Sequence, residues 1–141
     1  MHVLLYLALL AAVTLYALIR GDRDARVTAI ACVAATAITA VVLSPLAGRY
    51  GNVETGVATI DFVVLAVFVT VALQSARFWP LWISALQLTT SLAHLIKLIE
   101  PELLNFAYAA ALRAWSYPIL LILAVGIYRS SLREPDSATP A

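Results

Sequence analysis

Four polar side chains recur at helical spacing within the apolar stretch 79–99: Ser84, Gln87, Ser91 and His94. Intervals of three, four and three residues place them on one face of a helix. Hydroxyl, amide and imidazole groups donate and accept hydrogen bonds, and histidine is the residue type that changes charge near neutral pH. This stripe therefore suits hydrogen bonds between helices, a ligand site or a path for protons.

The stretch that carries the stripe is long enough to cross a bilayer, which takes about 20 residues. Hydrocarbon offers polar groups no hydrogen-bond partners, so the stripe should face other helices or a wet cavity. We expect the remaining helices to be arranged around it. The opposite face of this helix, which includes Leu86 and Ile96, is expected to lie nearer lipid.

Two charged residues are expected inside the membrane close to this stripe. Asp61 lies about one turn inside the third apolar segment, and Arg113 lies about two turns inside the fifth. A charge at the bilayer centre costs about 2.5–3.5 kcal/mol on insertion scales, so we expect these two to pair, with His94 close by. The predicted ligand-binding cluster around the pair comprises Arg49, Glu54, Asp61, Gln87, Ser91, His94, Arg113 and Tyr117.

Every member of this cluster also has a purely structural interpretation. An Asp61–Arg113 ion pair can serve only to hold helices together. Gln87, Ser91 and His94 can make interhelical hydrogen bonds, each worth less than about 2 kcal/mol. The sequence leaves open whether the cluster is structural or functional.

Composition places the chain among membrane proteins. It has 141 residues, of which 63% are hydrophobic and 12% are charged, whereas a soluble domain is about half apolar and a quarter charged. The apolar residues come in long runs, which is typical of integral membrane proteins. A net charge of +1 gives no sign of a nucleic-acid partner.

Five apolar segments predict an all-α integral membrane protein, a compact bundle of five transmembrane helices. The predicted spans are about 3–19, 27–47, 57–75, 79–99 and 106–128, which form one domain at 1–128, followed by a flexible cytoplasmic tail at 129–141. The first segment lacks the basic start and the cleavage site of a secretory signal, so we interpret it as a retained helix. In the second segment, small residues recur every four positions and should let helices approach closely: Thr28, Cys32, Thr36 and Ala40.

The distribution of basic residues predicts the orientation of the bundle. One end collects six arginines: Arg20, Arg23, Arg26, Arg77, Arg129 and Arg133. Lys and Arg accumulate on the cytoplasmic side, so we expect the N-terminus outside and the C-terminus in the cytoplasm, in the cell membrane or the inner membrane of a bacterium. If residues 106–115 lay along the interface, only four full spans and a shortened last one would remain.

No motif identifies a catalytic, metal or cofactor site. A single histidine in the bundle cannot supply bis-histidine haem ligation, no Cys/His cluster suits zinc, and no GxSxG or Walker motif is present. The favoured function is a small binding or accessory membrane protein rather than an enzyme, with its polar intramembrane site in the outer leaflet. Its expected partners are the lipid bilayer, a second copy or another membrane protein. A homo-oligomeric transporter or channel subunit for protons or a small solute is the first alternative, and an enzyme acting on a lipid or quinone is the second.

Overall fold

Five α-helices make up the computed structural model, which describes residues 2–42, 53–99 and 105–133. The helices are α1 (His2–Arg20), α2 (Arg23–Val42), α3 (Val53–Gln74), α4 (Trp79–Ile99) and α5 (Asn105–Ser131). The all-helical prediction is confirmed. The predicted end of the second span, at 43–47, and most of the predicted tail lie outside the described residues.

Two helices begin four residues earlier than the sequence predicts. α2 begins at Arg23 because Asp22 caps it: the backbone N–H of Ala25 donates to Oδ1 of Asp22 at 2.9 Å, as at a typical N-cap. α3 begins at Val53. At about 1.5 Å per residue, Asp61 then lies about 12 Å along α3, which is about two turns inside the helix rather than one.

The helices close into a ring in chain order. Each helix packs against the next one along the chain, and α5 returns to α1. α2 also contacts α5 across the ring, because the inward face of α2 carries the small buried residues Ala25, Thr28, Ala29 and Cys32. Small residues let helix backbones approach closely. The predicted small-residue seam is therefore buried over its first half, whereas Ala40 is exposed.

The outer surface of the bundle is strongly apolar. In the most apolar windows of α1, α2 and α3, the share of buried residues is only 17%, 22% and 22%. Leu4 and Leu73, for example, are 74% and 80% exposed. Soluble monomers rarely expose contiguous apolar surface on this scale. Among the described residues, these three helices are long and apolar enough to cross a membrane.

α4 turns its polar stripe toward the inside of the bundle. Every stripe residue is buried, with at most 8% exposed: Ser84, Gln87, Ser91 and His94. Ile96 on the other side is 57% exposed. Leu86 is half-buried against the core, so its placement on the lipid-facing side is wrong. It lies one turn from the buried Ile83, and residues three apart share a helix face.

Candidate functional site

A carboxyl group and an imidazole meet where α3 packs against α4. Nε2 of His94 lies 2.6 Å from Oδ2 of Asp61. The side chains are 5% and 22% exposed, respectively, so the pair is largely removed from solvent. An imidazole N–H can donate to a carboxylate whether the ring is neutral or charged. The pair therefore joins two neighbouring helices through one short contact between polar atoms.

Gln87 occupies the other oxygen of the same carboxyl group. Its Nε2 donates to Oδ1 of Asp61 at 3.0 Å and to the Asp61 carbonyl oxygen at 3.3 Å. Each carboxyl oxygen of Asp61 thus has its own polar contact from α4. A buried polar group requires such partners, since leaving it unpaired costs about 1–3 kcal/mol.

The position of Asp61 along α3 explains why two side chains on α4 reach it. At about 1.5 Å per residue, His94 lies about 7.5 Å and Gln87 about 18 Å from the end of α4 at Ile99. Asp61 lies about 12 Å from the start of α3, the end of that helix that is level with the end of α4, so it falls between these two levels. The carboxyl group therefore lies between the side chains of His94 and Gln87.

Ser91 and Ser84 complete the stripe in different ways. The hydroxyl of Ser91 lies 3.5 Å from the Asp61 carbonyl oxygen, which is the long limit of a hydrogen bond, and Ser91 has no exposed surface. Ser84 donates to the carbonyl of Pro80 at 2.8 Å within its own helix. Three of the four stripe residues therefore converge on Asp61.

The other predicted cluster members lie elsewhere or outside the described part of the chain. The ring of Tyr117 packs edge-on against Tyr6 of α1, with centroids 5.9 Å apart. Arg49 falls outside the described residues. Glu54 belongs to α3 and Arg113 to α5, but their side chains are not among those described. The predicted Asp61–Arg113 pair stays a prediction.

A second polar cluster, which the sequence analysis missed, lies at the other end of the bundle. Nη1 of Arg77 lies 2.7 Å from Oδ2 of Asp22 and donates to the hydroxyl of Ser130. These residues come from the α1–α2 turn, the α3–α4 turn and the end of α5. The Asp22–Arg77 ion pair could have been predicted from the sequence, because the five predicted spans put both turns on the same side of the membrane.

Comparisons with protein-family models, with curated proteins and with solved structures give no match. Function therefore has to be argued from the chemistry of the site.

The chemistry of the α3–α4 site is that of one carboxyl group and one imidazole in direct contact. Within the described ranges, no three His, Cys, Asp or Glu side chains gather closely enough to hold a metal ion. The Asp61–His94 pair can hold two helices together, and it can bind and pass a proton. The exposed part of the Asp61 side chain can also accept a hydrogen bond from a small ligand.

Proposed function

We propose that this chain is a small five-span integral membrane protein of the binding or accessory class, and that the ligand of its α3–α4 site is a proton. Three helices already meet the requirements for a membrane span. α4 has 21 residues with its polar stripe turned inward, and α5 has 27 residues. Both are long enough to cross about 30 Å of hydrocarbon. The exposed apolar surface would then face lipid.

The second polar cluster supports an orientation with the N-terminus outside. Contacts of Arg77 with Asp22 and Ser130 bring the α1–α2 turn, the α3–α4 turn and the end of α5 together. Six of the nine Lys and Arg residues belong to this end of the bundle. Since Lys and Arg accumulate on the cytoplasmic side of membrane proteins, this distribution supports a cytoplasmic C-terminus.

A reporter fused after Ala141 is accordingly expected to be active in the cytoplasm, and one fused before Met1 is expected to be active outside it. The measurement uses paired reporters that are each active on only one side of the membrane. If both ends reported from the same side, the five-span arrangement would be excluded.

One observation carries the proton-binding proposal, namely the 2.6 Å contact between Asp61 and His94. Both groups exchange protons with water, and their contact lies about 12 Å along α3, below the expected membrane surface. Ionisable groups at such depth are expensive to maintain, so a functional role is the default hypothesis. Gln87 fixes the second carboxyl oxygen at 3.0 Å, which keeps the group oriented toward the imidazole.

Infrared difference spectra of the reconstituted protein, recorded between acidic and neutral pH, test the proposal. We expect the carbonyl band of a protonated, buried carboxyl group to appear on acidification and to be missing in Asp61→Asn. The matched control is Asp22→Asn, which alters the aspartate of the exposed cluster and should keep the band. A band that persists in Asp61→Asn would overturn the assignment of the proton to this site.

Proton conduction is the second candidate function, and the continuity of the buried stripe favours it. The stripe runs along α4, and each of its four residues is buried: Ser84, Gln87, Ser91 and His94. Liposomes that contain the protein and an internal pH dye separate the two functions. Sustained proton flux under a potassium-diffusion potential that is lost in Asp61→Asn would establish conduction, whereas proton binding alone predicts no sustained flux.

A further inference from the structure

An open groove of about 580 Å³ lies between the start of α4 and the last turns of α5. It lies at the arginine-rich end of the bundle, whereas the α4 residues that contact Asp61 lie farther along that helix, toward its other end. The character of its lining changes along its length. The arginines lie toward one end of the groove, its basic end, and aromatic and aliphatic side chains line the rest.

Two exposed guanidinium groups lie at the basic end of the groove. Arg77, Arg129 and Arg133 line it, and Arg77 is already paired with Asp22 at 2.7 Å. Arg129 and Arg133 are exposed; Arg129 lies in the last turn of α5, and Arg133 lies in the turn that follows the helix. No ion pair joins either of them to a residue in the described ranges. The planar guanidinium fork matches the oxygens of a phosphate group.

Away from its basic end, the groove is lined by an exposed apolar strip. Trp82, Leu121 and Val125 are 66%, 56% and 55% exposed. Gly126 lets the Trp79 ring lie directly on α5, because a Cβ at that position would lie 2.7 Å from Cγ of the ring. From Leu121 to Ser130, its last lining residue within the helix, the groove follows α5 for about 14 Å, which is comparable with the hydrocarbon depth of one leaflet, about 15 Å.

We propose that this groove is a binding site for an anionic phospholipid of the arginine-rich side of the membrane. The phosphate lies at Arg129 and Arg133, and an acyl chain lies along Trp82, Leu121 and Val125. A soluble anion would contact only the basic end and leave the apolar strip uncovered, whereas a phospholipid would contact both the arginines and the apolar strip. Basic pockets between helices at this level are suited to anionic headgroups, and tryptophan is enriched there.

The proposal rests on the membrane placement given above, but it does not depend on the proton site or on which side the arginines face. The test is native mass spectrometry of the full chain, released from a neutral detergent that contains equal amounts of phosphatidylglycerol and phosphatidylcholine with identical acyl chains. The wild-type protein is expected to retain phosphatidylglycerol at least about tenfold in preference, since two surface charges each contribute about 1 kcal/mol.

The Arg129→Gln/Arg133→Gln variant is expected to lose about 30-fold in affinity for phosphatidylglycerol, which is about 2 kcal/mol at about 1.4 kcal/mol per tenfold change. The matched control is Arg20→Gln/Arg23→Gln, which removes two exposed arginines near the same end but outside the groove. The control changes net charge equally and should keep the lipid preference. An equal loss in both variants would overturn the groove as a specific site.

Two further results complete the test. Trp82→Ala should weaken retention of the lipid, whereas Leu92→Ala, an exposed position of α4 outside the groove, should not. Inorganic phosphate that displaced phosphatidylglycerol at equal concentration would overturn the lipid assignment in favour of a soluble anion. Asp61→Asn should retain the lipid, so failure of the proton site leaves this result intact. Recovery of the chain in the soluble fraction of lysed cells would instead overturn the membrane placement itself.

Discussion

Asp61→Asn is expected to lower the free energy of unfolding in detergent by about 1–3 kcal/mol, the cost of leaving a buried hydrogen-bonding group without its partner. The amide that replaces the carboxyl group has one acceptor oxygen and one donor nitrogen. It then faces two nitrogens from α4, Nε2 of His94 and Nε2 of Gln87. One amide oxygen cannot replace both carboxyl oxygens, so at least one of these two contacts is lost or weakened. Thermal unfolding followed by circular dichroism measures the loss.

A double-mutant cycle with His94→Phe separates the pair from its surroundings. His94→Phe removes the imidazole that contacts Oδ2 of Asp61, and it should lower the free energy of unfolding by a comparable amount. The double variant should lose less than the sum of the two single losses by about 0.5–3 kcal/mol, the usual range for residues in contact. Additive losses would mean that the two residues are not coupled.

The control for this cycle is Asp22→Asn at the other end of the bundle. Asparagine caps a helix as well as aspartate does, so the start of α2 is preserved. The Asp22–Arg77 ion pair is partly exposed, with side chains at 30% and 35%, and such pairs contribute at most about 1 kcal/mol. A loss as large as that of Asp61→Asn would contradict the distinction between a buried and an exposed pair.

Ser91→Leu is expected to lower the free energy of unfolding by about 1–3 kcal/mol, the cost of overpacking a close interface. Ser91 has no exposed surface and lies against the backbone of α3 at Asp61. The larger side chain must push α3 and α4 apart, which also draws His94 away from Asp61. Chemical or thermal unfolding in detergent measures the effect.

Thr89→Leu provides the matched control, because it makes a similar change two residues away on the exposed side of the same helix. The hydroxyl of Thr89 bonds only to the carbonyl of Ala85 at 3.0 Å in its own helix, so its loss should change stability by no more than about 0.5 kcal/mol. Similar losses from both substitutions would contradict the assignment of an inner and an outer face to α4.

The inward direction of α4 could be predicted because it depends on residue spacing alone. Polar residues at intervals of three and four define a helix face, and only the interior of the bundle offers them partners in a membrane. Leu86 was misplaced because it lies at the edge of that face, where spacing does not decide between core and lipid. The exposed Ile96 lies well away from the edge, and its side could be predicted.

His94 was expected close to Asp61, as the structure has it, but the level of Asp61 between His94 and Gln87 could not be derived in the same way, since depth in the membrane is counted from helix ends. The predicted third span begins at residue 57, whereas α3 begins at Val53. A shift of four residues moves the expected depth of Asp61 by about 6 Å, roughly one helical turn. Helix ends depend on capping and on loop conformation, and Asp22, which caps α2, is one example. Neither capping nor loop conformation can be predicted from hydropathy alone.

The contact between Asp61 and His94 can be measured directly by nitrogen NMR of the imidazole, because the chain contains only two histidines. His2→Gln leaves His94 as the sole signal in protein labelled with nitrogen-15 histidine and reconstituted in lipid. We expect the Nε2 resonance of His94 to show a strongly hydrogen-bonded proton, and to shift when Asp61→Asn is added but not when Asp22→Asn is added. A His94 resonance that is unchanged by Asp61→Asn would show that the imidazole does not contact this carboxyl group, which would contradict the proposed site.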